Sequence, residues 1–133
     1  MSQAKKILII EDEEIFAENL QTHFQRCGWD ARVACNGKLA VIAAEEFLPE
    51  LILLDFHLPD MTGFEVLDAI RASHNCSGCV LMTGHPTESV LADAQLRGIG
   101  QVLCKPFPLS SLQGQMLAAE IRASSPTSLD SED

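Results

Sequence analysis

Leu51-Ile52-Leu53-Leu54-Asp55 is four apolar residues closed by an acid. A run this short and continuous reads as a strand covered on both faces, because a half-wet strand alternates and a helix needs more length. Strands of that kind belong to parallel sheets, whose neighbours require crossover connections. Working outward, Lys6–Ile10 is another continuous aliphatic run, and Asp30–Cys35 is an alternating one. Gly78–Met82 and the short Gln101–Cys104 complete a set of five predicted strands.

Between them the period changes to that of a helix. Glu13–Cys27 sets Phe16, Leu20 and Phe24 on one face, with Gly28 as the stop. Asn36-Gly37 turns the chain into a helix carrying Leu39, Ala40, Ala43, Ala44 and Phe47, closed by Pro49. After Pro59, Gly63–Ser73 aligns Phe64, Leu67 and Ile70. Pro86 suits the first turn of a fourth helix that runs to Leu96 and ends at Gly98. Pro108 opens a last helix through Leu109, Leu112, Met116, Leu117 and Ile121, in which Gly114 costs about 1 kcal/mol relative to Ala. Five β–α units predict a parallel sheet between two layers of helices.

The 133 residues suffice for one domain with its own core. Residues 1–123 are expected to form that domain, and 124–133, rich in Ser and acid, a disordered tail or truncated linker. At 47% hydrophobic and 21% charged the composition is that of a globular chain. The apolar runs fall far short of the ~20 residues of a membrane span. Met1–Lys6 leads straight into a strand-like run rather than a signal peptide, so a cytoplasmic location without membrane contact is expected. Nine basic residues stand against 19 acidic ones, for a net charge of -10, and Lys5-Lys6 is the sole adjacent basic pair. Duplex binding needs clustered cations, so direct nucleic-acid binding is not expected.

Five cysteines are scattered through apolar segments and read as reduced, small hydrophobic residues. Cys76-Ser77-Gly78-Cys79 has C-x-x-C spacing but runs into a strand, whereas a redox pair precedes a helix that stabilises the thiolate. No second metal-ligand pair accompanies it.

In an open α/β sheet, ligands bind beyond the carboxyl ends of the strands. Strand one ends at Glu11-Asp12, strand three at Asp55, strand four at Thr83 and strand five at Lys105. Three acids, a hydroxyl and an ammonium therefore share one predicted rim. Clustered carboxylates favour a hard cation such as Mg²⁺. With Lys105 to pair phosphoryl oxygens and Thr83 to hydrogen-bond one, the set suits acyl phosphate formation on an aspartate.

Ile7-Leu-Ile-Ile-Glu-Asp-Glu-Glu14, Leu53-Leu-Asp-Phe-His-Leu-Pro-Asp60 with Gly63-Phe-Glu-Val-Leu67, Met82-Thr-Gly84 and Lys105-Pro-Phe107 occur in the order and spacing of a known family. Over about residues 5–122 the chain resembles the receiver domain of two-component response regulators. The resemblance implies a flavodoxin-like (βα)5 doubly wound three-layer sandwich with a five-stranded parallel sheet of order 2-1-3-4-5. It implies that Asp55 accepts phosphate from a histidine kinase or histidine phosphotransfer protein. Mg²⁺ would be held by Asp12 directly, by Glu11 through water, by Asp55 and by the backbone carbonyl of His57. Thr83 matches the switch hydroxyl, and Lys105 the lysine that pairs the phosphoryl group, with Lys105–Pro106 a candidate cis peptide.

Such a domain is a signalling switch rather than an enzyme in the ordinary sense, although it catalyses part of its own phosphorylation and dephosphorylation. It would dimerise or engage an output domain through the face of helix four, strand five and helix five. Val102 departs from the pattern, since many receivers carry Tyr or Phe there. That departure keeps open an alternative, a receiver-like interaction module that works without phosphorylation. His57 and His85 fall two residues after Asp55 and Thr83, where the family tunes dephosphorylation, and they equally suit exposed loops. His23 and His74 read as ordinary helix-surface or helix-end residues. A metal-dependent aspartyl phosphatase would need a second Asp where His57 stands.

Overall fold

A computed structural model describes residues 4–73 and 78–112. The predicted last helix beyond Leu112, His74, Cys76 and the 124–133 tail lie outside the described residues. Five strands, β1 (Lys6–Ile10), β2 (Asp30–Ala34), β3 (Leu51–Asp55), β4 (Gly78–Thr83) and β5 (Gln101–Cys104), form one parallel sheet of order β2-β1-β3-β4-β5. Helices α1 (Glu14–Arg26), α2 (Gly37–Phe47), α3 (Gly63–Ser73) and α4 (Glu88–Leu96) connect them, and a 3-10 turn spans Leu109–Ser111. This is the predicted flavodoxin-like order.

The central strands are apolar because both faces are covered. All five residues of β3 are buried. Leu8, Ile10, Ile52 and Leu54 pack on one side with Ala40, Phe47, Phe64, Leu67 and Ile70. Ile7, Ile9, Leu51 and Leu53 pack on the other with Leu20, Phe24 and Leu112. Each such Leu or Ile is worth roughly 1.5–3 kcal/mol relative to exposure. In β2, at the sheet edge, Asp30 and Arg32 are exposed, which accounts for its alternating sequence.

Local signals set most of the ends. The Asn36 side chain caps α2 by accepting from Leu39 N–H at 2.8 Å, and Thr87 caps α4 by accepting from Val90 N–H at 3.2 Å. Thr62 and Glu65 satisfy each other's backbone N–H groups in a capping box at α3. Two expectations shift. Pro86 precedes the Thr87 cap instead of lying in the first turn of α4. At the end of α2 it is Leu48, before Pro49, that breaks the helix by taking a left-handed conformation (φ 53°). In both cases the residue that sets the helix boundary is the neighbour of the proline. Among the described residues, no helix is long and apolar enough to cross a membrane.

Candidate functional site

All five strands point the same way, so their carboxyl ends form one rim. Ile10 pairs with Leu54 across β1 and β3, which brings the residues after β1 beside the last residue of β3. Oxygen atoms of Glu11, Asp12 and Asp55 consequently lie within 4.8 Å of one another. Asp12 is exposed, but Glu11 is 0% and Asp55 5% exposed. Carboxylates are rarely buried unless paired, and the partner is Lys105, delivered from just beyond β5. Its Nζ stands 2.9 Å from Glu11 Oε1 and 3.4 Å from Asp55 Oδ1. The peptide bond from Lys105 to Pro106 is cis, as the resemblance implies. Lys105 N–H donates to Thr83 O at 2.9 Å, and Nζ lies 5.2 Å from the Phe16 ring centroid, within cation–π range.

Backbone donors complete the first layer. Glu13 N–H reaches Glu11 Oε2 at 3.1 Å, and His57 N–H lies 3.4 Å from Asp55 Oδ1, a long contact. Burial pushes the carboxyls of Glu11 and Asp55 above their usual range, and Lys105 partly offsets the shift in both. Burial works against the charge of Lys105, but pairing first with Glu11 and then with Asp55 raises its affinity for a proton. Three carboxylates against one ammonium leave two negative charges in the cluster, a donor set suited to a hard divalent cation.

Thr83 closes β4 and is fully buried, its Oγ1 accepting from His85 N–H at 3.1 Å. The described contacts connect it to the site through the Lys105 backbone and not by a direct contact with the acids. His57 and His85 are both exposed. A groove of about 420 Å³ between α1 and β2 runs up to Glu11 and Asp12. Cys79 is buried, and burial pushes its thiol up to about 12, so it is no ready thiolate. His23 sits half-buried on α1, edge-on to Phe24 at 5.2 Å between ring centroids.

Asp60 takes part in a contact that the residue types alone do not announce. It lies on the loop from β3 to α3, and its carboxylate accepts Gly37 N–H at 2.8 Å and Lys38 N–H at 3.0 Å, the first donors of α2. Those two bonds hold its carboxyl below the usual range. Pro59-Asp60 reads in sequence as a turn, and its partner is 23 residues away.

A family model described as response regulator receiver domain matches residues 7–117. The chain belongs to this family, whose members serve as signal switches in two-component phosphorelays and bind Mg²⁺ at an acidic pocket. Here the acidic cluster is Glu11, Asp12 and Asp55. The chain is 32% identical over 105 residues to the regulatory protein LuxO of Vibrio vulnificus, covering 79% of this chain and 23% of that one. It is 33% identical over 103 residues to the alkaline phosphatase synthesis transcriptional regulatory protein PhoP of Bacillus subtilis, covering 77% and 43%. The chain thus spans less than half the length of these curated relatives.

Among solved structures, the signal receiver domain of a putative LuxO repressor from Vibrio parahaemolyticus is similar with a TM-score of 0.84 and 26% identity, over 91% of this chain and 93% of that one. A CheY-like receiver domain protein from Methanospirillum hungatei superposes with a TM-score of 0.87 over 93% and 99% at 19% identity, which shows the shared fold.

Proposed function

We propose that Asp55 is the phosphoacceptor of this receiver, with a histidine kinase or histidine phosphotransfer protein as donor. The observation that carries the reading is Lys105, whose ammonium stands 2.9 Å from Glu11 and 3.4 Å from Asp55 at one rim of the sheet. An Asp55 carboxylate oxygen attacks phosphorus as the phosphorus–nitrogen bond of a phosphohistidine breaks. The electron pair leaves with the imidazole, and an acyl phosphate remains on Asp55. Lys105 pairs a phosphoryl oxygen, which offsets charge that builds up in transfer. Water attacking the same phosphorus breaks the bond from the Asp55 oxygen, releases inorganic phosphate and a proton, and returns the carboxylate.

Glu11, Asp12, Asp55 and the His57 carbonyl would hold Mg²⁺, with Asp12, exposed at the rim, as a direct ligand. The ion supplies charge neutralisation between the acceptor and the incoming phosphoryl oxygens.

Switching follows from Thr83. Its hydroxyl oxygen accepts His85 N–H, so drawing the hydroxyl toward a phosphoryl oxygen strains or breaks that bond and shifts the Gly84–Ser89 loop ahead of α4. Val102 is β-branched and stiff about its one torsion, so the motion passes through the backbone rather than an aromatic rotamer. The face of α4, β5 and the chain beyond it then serves dimerisation or output. A receiver unit over 1–123, a 124–133 tail or linker and a cytoplasmic setting complete the proposal.

Intact-mass spectrometry with acetyl phosphate and Mg²⁺ tests it. One added phosphoryl group, absent in Asp55→Asn and without Mg²⁺, is the expected result. An unchanged wild-type mass at saturating donor favours the phosphorylation-independent module.

A further inference from the structure

Two walls enclose the acidic cluster: the segment after β1, with Glu11 and Asp12, and the loop after β3, with Asp55 and His57. The sheet hydrogen-bonds them up to Ile10 and Leu54 and no further. Beyond that point a second route joins them. Glu11 N–H donates to Ala34 O at 3.1 Å, tying the acidic pair to the end of β2. From Ala34 the chain passes through Cys35 and the Asn36 cap into α2, whose first two N–H groups bind the Asp60 carboxylate. Asp60 lies five residues after Asp55, so a ring of hydrogen bonds closes around one side of the site.

The root of the β3–α3 loop holds itself, by the His57–Thr62 bridge and Gly63 N–H to Phe56 O at 2.7 Å. Its tip reaches α2 through Asp60 and through Met61, whose Sδ would lie 2.6 Å from a Cβ placed on Gly37. An anion at a helix N-terminus is well placed, because the free N–H groups and the helix dipole both favour it.

We propose that Asp60 is a positioning residue for the metal and phosphoryl site, setting the separation of the wall that bears Glu11 and Asp12 from the wall that bears His57. It touches neither ion nor phosphoryl group. It acts through α2, and the inference rests on the reading of the site given above. Outer partners that orient metal ligands are commonly worth about 10–100-fold in metal affinity. The indirect route here places Asp60→Ala at the low end, about tenfold.

The test is titration of the full chain with Mg²⁺ alone, followed by NMR, beside thermal midpoints in EDTA. Asp60→Ala should weaken Mg²⁺ binding about tenfold, and Asp60→Asn, which keeps one acceptor oxygen, by about two- to threefold. Glu18→Gln, which removes one exposed charge near the same rim and breaks no bond of the ring, should change it by less than about twofold. A lower midpoint with wild-type Mg²⁺ affinity in Asp60→Ala would show Asp60 to be merely structural and overturn the inference. Equal losses in Asp60→Asn and Glu18→Gln would overturn it as well, since charge alone would then suffice. If Asp60→Ala fails to fold, the comparison of Asp60→Asn with Glu18→Gln decides. If wild type itself binds no Mg²⁺ and takes no phosphoryl group, the reading of the site fails and this inference falls with it.

Discussion

At Asp55, the same burial that would focus charge on the oxygen proposed to react works against the unmodified fold. Asp55 and Glu11 are both nearly inaccessible, and one ammonium is shared between them. Asp55→Asn removes one charge of the repelling set while keeping the shape of the side chain. It should abolish phosphoryl transfer and yet raise the thermal midpoint in EDTA by a few °C, roughly the effect of 1 kcal/mol in a domain of this size. Differential scanning calorimetry checks this, and a lowered midpoint would mean that the Lys105 pairing outweighs the repulsion. The residues of this cluster are legible in the sequence because each is an acid, hydroxyl or lysine at the end of an apolar run. How they pair is not. That Lys105 stands nearer to Glu11 than to Asp55 depends on how the chain leaves β5, and no spacing encodes it.

Elements carry the next layer. Gly63 opens α3 where its backbone presses against the end of β3: a Cβ there would lie 3.0 Å from Asp55 O and 3.0 Å from Phe56 Cα. Both neighbours are backbone atoms at the end of the strand that holds Asp55, the proposed phosphoacceptor, so neither yields cheaply. Gly63→Ala should cost about 1–3 kcal/mol of stability, the usual range for overpacking. It should also slow phosphorylation by acetyl phosphate. Urea denaturation and the mass assay read the two effects, and unchanged values of both would show that α3 slides to make room. β2 stops one residue short of the predicted Cys35, and β4 runs one residue past the predicted Met82. The bounds of β1, β3 and β5 and the span of α3 follow from the sequence, since hydrophobic period and length are local properties. The Asp60 bonds to α2 and the close approach of Met61 to Gly37 do not, because they arise between loops that meet only after the sheet has ordered its strands. Arg97 is a similar case. It ends α4, pairs with Asp68 of α3 at 3.0 Å and stacks over Phe64 at 4.4 Å, a join between helices that neither helix's own pattern foretells.

For the whole molecule, acidity sets the pH response. Glu11 and Asp55 titrate above the ordinary carboxyl values of 4.5 and 3.8 in the folded state, because burial disfavours their charged forms. The folded chain therefore binds more protons than the unfolded one between those values and the raised ones, and stability rises as pH falls through that window. Asp60 and Asp68 titrate below 3.8, so what they contribute is present above 3.8 and is lost only at lower pH. In EDTA the thermal midpoint should accordingly be higher at about pH 4.5 than near neutrality, a difference that the net charge of -10 reinforces. Millimolar Mg²⁺ should remove most of the difference by binding the ionised cluster, and a midpoint that rises steadily with pH in EDTA would contradict the reading of these carboxyls. The order of the strands has one more consequence, for optical and magnetic work. Cys35 follows β2 and Cys104 ends β5, so two exposed thiols stand on opposite margins of the sheet, four strand spacings or about 19 Å apart. With Cys27 and Cys76 replaced by Ser and Cys79 sealed in the core, two of the chain's own cysteines remain as attachment points for spin labels, a ruler laid across the sheet.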